Sequence, residues 1–356
     1  MIFCDILLDP KIKMSNAINK SKSDQQRIAR LSKCYDCTPH NIPTKVVSPG
    51  GWEIPRCVDL DEIKAFEVFP DDIFIVTQPK CGTTWMQELA WLIMNNLDLE
   101  GAKTNQFYRV PFLEIQGLRR GRFVIPKGKE LSNKELEQLE NYPENEPLTE
   151  ENATWYMIHS VEFARKLKRP RIIKSHLPLS LLPEDIVNRC KVIYVTRNIK
   201  DATVSHFHHK KLTNGCKDFK AFAKCSLNDE TEFGPFIPHI LEAWKQRRHP
   251  NLFFTTYEDM KSDLRKVASD LLVFLKGKNA TIDMDTLLAQ LDIEAFRKNK
   301  FVNKEQEIPP DKDGNSFIRK GVIGDWKNYF DEDMNKEWDP WIEKQLKGTN
   351  LKMIFE

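Results

Sequence analysis

IFIVTQPKCGTTWMQELAWLIMNNL, residues 73–97, decides the fold of this chain. Its first four residues, IFIV (73–76), are apolar on both faces, which fits a short strand buried inside a parallel sheet. Met86, Leu89, Ala90, Ile93, Met94 and Leu97 follow at helical spacing and predict an amphipathic helix packed on that sheet. Between them lies QPKCGTTW (78–85), a strand-to-helix turn. Such turns aim unpaired backbone N–H groups and the positive end of a helix at a bound anion. Gly82 permits close approach of the ligand, Thr83 and Thr84 are candidates to cap the helix or donate hydroxyls, and Lys80 adds a mobile charge.

Working outward, the same theme recurs at RIIK (171–174), KVIYV (191–195) and LFFTTY (252–257), each a short apolar run beside a polar turn. Strands alternating with helical patterns predict an α/β fold, a single domain whose central parallel sheet is flanked by helices. In such sheets ligands bind beyond the carboxyl ends of the strands, where this sequence places QPKCGTTW, SHLP (175–178) and TRN (196–198). Residues 1–45, lysine-rich and aperiodic over most of their length, are expected to form a flexible N-terminal arm, with the domain spanning 46–356. The stretch 115–173 is a long connection with a Pro, Glu and Asn-rich middle, and is expected to act as a lid over a binding site.

Composition narrows the function classes. Lys plus Arg number 54 against 52 Asp plus Glu, so no bulk charge calls for a nucleic-acid partner or a membrane surface, and any anion must be held locally. The opening MIFCDILLDP is interrupted by Asp5 and Asp9 and lacks a basic leader, and no run approaches the length of a membrane span, so a cytoplasmic location is expected. Eight scattered cysteines agree with a reducing compartment. Cys34 and Cys37 form a C-x-x-C without a second pair of ligands, and are read as free thiols. His206, His208 and His209 lack the spacing and carboxylate partner of a metal site, so no metal is expected and they receive no role.

The turn itself excludes two chemistries. In a Walker A loop the lysine follows the second glycine; here Lys80 precedes Gly82, which disfavours nucleoside triphosphate hydrolysis. A thiolate phosphatase requires arginine after five residues that follow its cysteine, and Gln87 in that place rules it out for Cys81. At the end of RIIK, His176 is either a structural imidazole or a general base. Its place at a strand's carboxyl end, two residues after Lys174, favours the base, since an imidazole accepts a hydroxyl proton near neutral pH.

QPKCGTTW resembles the YPKSGTTW loop of the cytosolic sulfotransferases that use 3′-phosphoadenosine 5′-phosphosulfate (PAPS), a family with a P-loop NTPase-like fold. KSHLP (174–178) is similar to that family's K-[TS]-H-L-P, RNIKDATVS (197–205) to RNxKDxxVS, TTYEDM (255–260) to F-Y-E-D-[ML], and RKGVIGDW (319–326) to RKGxxGDW. The resemblance implies that the loop from Lys80 through Cys81, Gly82, Thr83 and Thr84 to Trp85 holds the 5′-phosphosulfate. It implies that Arg197, Ser205, Arg319, Lys320 and Gly321 hold the 3′-phosphate, and that Trp85, Tyr257 and Phe296 contact adenine. His176 is then the base, assisted by Lys80 and Lys174, and RVPFLE (109–114) nominates Phe112 as acceptor lining. Insect members with a long insertion, a PAPS-using retinol dehydratase among them, resemble the chain most. The implied function is transfer of a sulfuryl group to a phenol, steroid, retinoid or alcohol, in hormone or xenobiotic metabolism. The alternatives are a PAPS-dependent dehydratase that sulfonates an alcohol transiently and a non-catalytic nucleotide-binding module. The family's dimer motif KxxxTVxxxE falls on Lys327, where Asp331, Glu332 and Lys336 mismatch it, so a homodimer by that route is only weakly supported.

Overall fold

The computed structural model describes residues 44–48, 50–55, 58–115, 160–305, 308–312 and 314–356. The expected N-terminal arm, the Cys34–Cys37 pair and most of the 115–173 insertion, its proposed lid included, lie outside the described residues. Two antiparallel strands, β1 (Thr44–Val47) and β2 (Trp52–Pro55), precede the main sheet. That sheet contains β3 (Ile73–Thr77), β4 (Ile172–Ser175), β5 (Lys191–Thr196) and β6 (Leu252–Thr256), all parallel, in the order β4-β3-β5-β6.

Alternation along each strand explains why both faces are covered. Phe74, Val76, Ile173, Val192 and Tyr194 point into one apolar cluster, while Ile73, Ile75, Ile172, Ile193 and Val195 point into another. The second cluster is closed by α1 (Thr83–Met94), whose Met86, Leu89, Ala90 and Ile93 are fully buried, as the sequence predicts. Leu97 differs from expectation: the helix ends at Met94, and Leu97 sits beyond it with a left-handed backbone, φ 60°. Further helices pertinent to the site are α2 (Ile199–Asn214), α3 (Phe236–Lys245), α4 (Tyr257–Ser262), α5 (Leu264–Lys276), α6 (Ile293–Lys298) and α7 (Glu332–Leu346). Among the described residues no helix is long and apolar enough to cross a membrane.

Strand order locates the crevice. The connection leaving β3 runs to β4 on one side, and the chain then crosses to β5 on the other, so the order reverses at β3. A doubly wound sheet opens a cleft at such a point. The turns after β3, β4 and β5 therefore stand side by side at one edge.

One buried ion pair fixes the opposite ends of these strands. Arg171 Nε donates to Asp72 Oδ1 at 2.8 Å, and its other nitrogens donate to the carbonyls of Ala164 and Glu67 at 3.1 and 2.9 Å. Both side chains are buried, so removing one partner strands the other charge in a low-dielectric interior. Arg171→Met is expected to destabilise the fold by about 3–5 kcal/mol, read from the urea unfolding midpoint.

Candidate functional site

The turn after β3 is shaped by backbone geometry. Lys80 adopts φ 68° and Gly82 φ 94°, both left-handed. A Cβ at Gly82 would lie 2.9 Å from Tyr257 Cδ2, so glycine is required by conformation and by space together. Gly82, and not a threonine, is the N-cap of α1, and no side chain caps the helix. The expectation that Thr83 or Thr84 caps it is thereby corrected: both lie inside the first turn, and Thr83 Oγ1 instead bonds Thr77 Oγ1 at 2.7 Å. An uncapped first turn keeps its positive end, roughly half an elementary charge, directed into the cleft.

Gln78 and Cys81, the two departures from the family loop, are both accommodated. Gln78 Nε2 donates to the Phe233 carbonyl at 2.7 Å, tying the loop to the segment that β2 holds through Glu53 N to Gly234 O and Phe233 N to Glu53 O, each 2.7 Å. Cys81 is fully buried, which pushes its thiol well above the ordinary range and removes it as a nucleophile.

His176 follows β4 and is brought beside the loop because β4 pairs with β3. Its Nδ1 lies 2.8 Å from the Thr77 carbonyl, which can only accept, so Nδ1 carries the proton and Nε2 keeps its lone pair. A second chain of bonds holds its backbone. The Tyr194 hydroxyl donates to His239 Nδ1 at 2.6 Å, and His239 Nε2–H donates to the His176 carbonyl at 3.2 Å. Burial, then the Lys174 charge, keeps His176 well below the usual imidazole range, and hence neutral.

Phe112 stacks edge-on to His176 with centroids 5.0 Å apart and lies 3.9 Å beneath Lys174 Nζ. Lys174 is likewise buried and held well below the usual lysine range, by burial first and by Lys304 second. Lys80 falls to about 7 through burial and the charges of Lys304, Arg197 and Arg319. Crowded cations that resist protonation mark a cleft built for a polyanion.

Arg197, at the end of β5, donates to the Val322 carbonyl at 2.9 Å and covers the Tyr257 ring at 4.2 Å, while its buried Nε has no hydrogen-bond partner among the described residues. Tyr257 begins α4 under a Thr256–Asp259 capping box instead of ending a strand as LFFTTY (252–257) suggested. Its ring tilts against Trp85 at 5.9 Å. A 670 Å³ cavity is bounded by Lys80, Gly82, Thr83, Thr84, Trp85, Phe112, Lys174, His176, Arg197, Ser205, Tyr257, Phe296, Arg319, Lys320 and Gly321. Every proposed site residue except Cys81 thus reaches one cavity. Arg319 and Lys320 both pair with Asp325, at 2.5 and 2.8 Å.

Sequence reading missed the groups that hold these parts together. Asp201 accepts from Gly324 N and Trp326 N at 2.8 and 2.9 Å, docking the 319–326 loop onto α2. Asn198 caps α2 and is itself held by Glu258 Oε1, at 3.1 Å from its N and 2.9 Å from its Nδ2. Glu114 is fully buried, accepts from His176 N and Leu177 N at 3.2 Å each, and is pushed up to about 7 by burial. Asn198, Asp201 and Glu258 lie inside the quoted motifs, but nothing in their spacing reveals whom they bind. Of the three histidines, His206 and His209 line the cavity and His208 bonds the Tyr329 hydroxyl at 2.7 Å. Among the described residues no cluster of three His, Cys, Asp or Glu is placed to hold a metal ion.

Gly82→Ala is expected to lower stability by about 1–3 kcal/mol, because a left-handed alanine must also displace the Tyr257 ring. Thermal and urea unfolding measure this; a variant as stable as the parent would show that the turn relaxes freely.

The family model of the sulfotransferase domain matches residues 70–350. Luciferin sulfotransferase of Photinus pyralis is 32% identical over 303 residues, covering 82% of this chain and 76% of that protein. Human sulfotransferase 1E1 is 30% identical over 309 residues, 83% of this chain and 90% of that one. Among solved structures, retinol dehydratase in complex with androsterone and the inactive cofactor PAP superposes with a TM-score of 0.76 at 31% identity, over 92% of this chain and 95% of that one. With the domain match spanning most of its length and the turn at Lys80, His176 and Arg197 converging on one cleft, this chain belongs to the sulfotransferase family.

Proposed function

We propose that the chain transfers the sulfuryl group of PAPS to the hydroxyl of a small, hydrophobic acceptor. The observation that carries this reading is the bond from His176 Nδ1 to the Thr77 carbonyl, which fixes a neutral imidazole with its basic Nε2 beside the anion-directed turn at Lys80. The cations that line the cavity suit a polyanion such as PAPS. The uncapped α1 terminus and Lys80 would hold the 5′-phosphosulfate, and Arg197, Ser205, Arg319, Lys320 and Gly321 would hold the 3′-phosphate. Guanidinium suits that second task through its planar, paired donors. The Trp85, Tyr257 and Phe296 rings would flank adenine as rigid walls.

In this mechanism His176 Nε2 takes the acceptor proton as the hydroxyl oxygen attacks sulfur. The S–O bond to the 5′-phosphate breaks in line, and adenosine 3′,5′-bisphosphate (PAP) departs with the electron pair. Lys80 and Lys174 offset charge on the bridging and sulfuryl oxygens, so the residues present supply the electrostatic stabilisation. Phe112 and Phe233, both packed on the His176 ring, would orient an apolar acceptor.

A second reading has one observation in its favour, the likeness to retinol dehydratase, also solved with retinol and PAP at a TM-score of 0.76. If the product is the sulfate ester of an allylic alcohol, the C–O bond can break with its electron pair going to the departing sulfate, a proton is then lost to solvent from a neighbouring carbon, and an alkene results. Product analysis after incubation with PAPS and retinol separates the two: a stable sulfate ester favours transfer alone, an alkene favours dehydration.

His176→Ala is expected to lower turnover by about 10²–10⁴-fold while PAP still binds, as general-base removal does. Turnover close to the parent's would overturn the assigned base. Binding of PAP should also take up protons near neutrality, because Lys80, at about 7 in the free protein, is driven to its charged form by the bound phosphates. Affinity should therefore fall as pH rises above about 7, measured by calorimetry in buffers of differing ionisation enthalpy. A pH-independent Kd would remove Lys80 from the phosphate site.

A further inference from the structure

His176 carries four polar atoms, and three of them are bonded by different parts of the fold. Its backbone N–H donates to Glu114 Oε1 at 3.2 Å, and its Nδ1–H donates to the Thr77 carbonyl at 2.8 Å. Its own carbonyl accepts from His239 Nε2–H at 3.2 Å. The fourth atom is Nε2, the one that the transfer reaction uses. Thr77 ends the neighbouring strand, and Glu114 belongs to a segment hydrogen-bonded beside β4, through Lys174 N to Pro111 O at 2.8 Å and Leu113 N to Lys174 O at 2.9 Å. The third bond comes from outside the sheet, from α3, across 63 positions of sequence.

His239 is 1% exposed, and no step of the transfer uses it. A backbone carbonyl can only accept, so His239 must present Nε2–H to His176, which leaves a buried lone pair on its Nδ1 in need of a donor. The Tyr194 hydroxyl, 2.6 Å away in the middle of β5, supplies that donor. Burial pushes the Tyr194 phenol well above its usual range, so the hydroxyl keeps its proton, and burial lowers His239 to about 4, so the imidazole is neutral. Both rings are wedged in place. Tyr194 stacks on Phe254 with centroids 5.4 Å apart and planes 14° from parallel, and Trp52 meets His239 edge-on at 6.0 Å. The start of α3 is tied to the phosphate turn as well, because Gln78 Nε2 holds the Phe233 carbonyl three residues before the helix.

We infer that His239 is a positioning residue for the general base: it holds the His176 peptide so that the imidazole keeps its bond to Thr77, and Tyr194 fixes the one tautomer of His239 that can do so. The inference rests on the sulfotransferase reading and adds two residues to it. Without a donor at its carbonyl, the peptide after His176 is free to rotate, and the ring on the same Cα swings with it. The Nδ1 bond to Thr77 then loosens, and Nε2 loses both its fixed place and its fixed lone pair. Misplacement of a reacting group by about 1 Å costs on the order of a hundredfold in rate. Loss of the Tyr194 hydroxyl acts one step further back. It lets His239 move its proton to Nδ1, which turns the Nε2 lone pair against that of the His176 carbonyl.

The test uses the full chain and the variants H239F, H239Q and Y194F, with PAPS and three acceptors, 2-naphthol, androsterone and retinol. H239F should lower kcat by about tenfold to a hundredfold while the acceptor KM and the Kd of PAP stay as in the parent. H239Q, whose amide can donate to the carbonyl and accept from Tyr194, should recover most of that loss, and Y194F should fall between the two. The ring itself gives a readout that needs no turnover. In nitrogen-15 spectra of histidine-labelled protein, His176 of the parent should show one protonated and one bare nitrogen as well-separated signals, which draw together in H239F and Y194F as the tautomers mix. A kcat in H239F equal to the parent's, an equal loss in H239Q and H239F, Y194F indistinguishable from the parent, or PAP affinity lost in step with kcat would each overturn the inference. Should H239F fail to fold, H239Q and Y194F, both close in shape to the parent side chains, decide the question through the same spectra. If the spectra change as expected but none of the three acceptors is sulfonated, the hold on His176 stands and the sulfuryl-transfer reading fails. Sulfonation at the same rate and with the same spectra in every variant has the opposite meaning.

Discussion

The hydrogen bond between His176 and the Thr77 carbonyl is the constraint on which the site depends. It joins the end of β4 to the end of β3, and so brings the imidazole beside the turn that carries Lys80. Parallel pairing makes this possible. Because β3 lies between β4 and β5, the ends of all three strands share one edge, and one cleft receives an imidazole, an uncapped helix terminus and a guanidinium. The other ring nitrogen is free for chemistry because this bond consumes the first.

Electrostatics inside the cleft follow from its burial. Beyond burial, the charges of Lys304, Arg197 and Arg319 lower the proton affinity of Lys80, and those of Lys304 and Lys80 lower that of Lys174. Asp325 pairs with Arg319 and Lys320, and Glu114 sits behind His176. Such an arrangement is unfavourable to the empty protein and is relieved by a polyanion, so the same interactions that cost stability direct binding. The buried network of Asn198, Asp201 and Glu258 keeps the cationic loops in place against that repulsion.

Much of this was legible in the amino-acid order, for identifiable reasons. Strands buried on both faces must be apolar throughout, so IFIV and KVIYV stand out, and each observed strand runs one residue further, to Thr77 and Thr196. Glycine in a left-handed turn and proline after a strand are likewise local requirements, which is why Gly82 and the segment around His176 were visible. Errors fell where local signals compete. TTY reads as strand, but Thr256 and Asp259 cap each other and start a helix at Tyr257; Thr83 is a good cap by type, yet Gly82 already occupies that position and Thr77 claims the hydroxyl.

Sequence alone determined the parallel α/β class, the glycine turn between β3 and α1 and the residue types of the cleft, because backbone conformation and periodic burial are encoded over a few neighbouring positions. Tertiary structure alone decided which imidazole nitrogen carries the proton, which carboxylates hold the loops, and that Lys304 and His209 enter the same cavity as Lys80. Those facts depend on contacts between residues far apart in the chain, such as Thr77 with His176 or Asp201 with Gly324, and no local pattern of charge or hydropathy specifies a partner across such a separation.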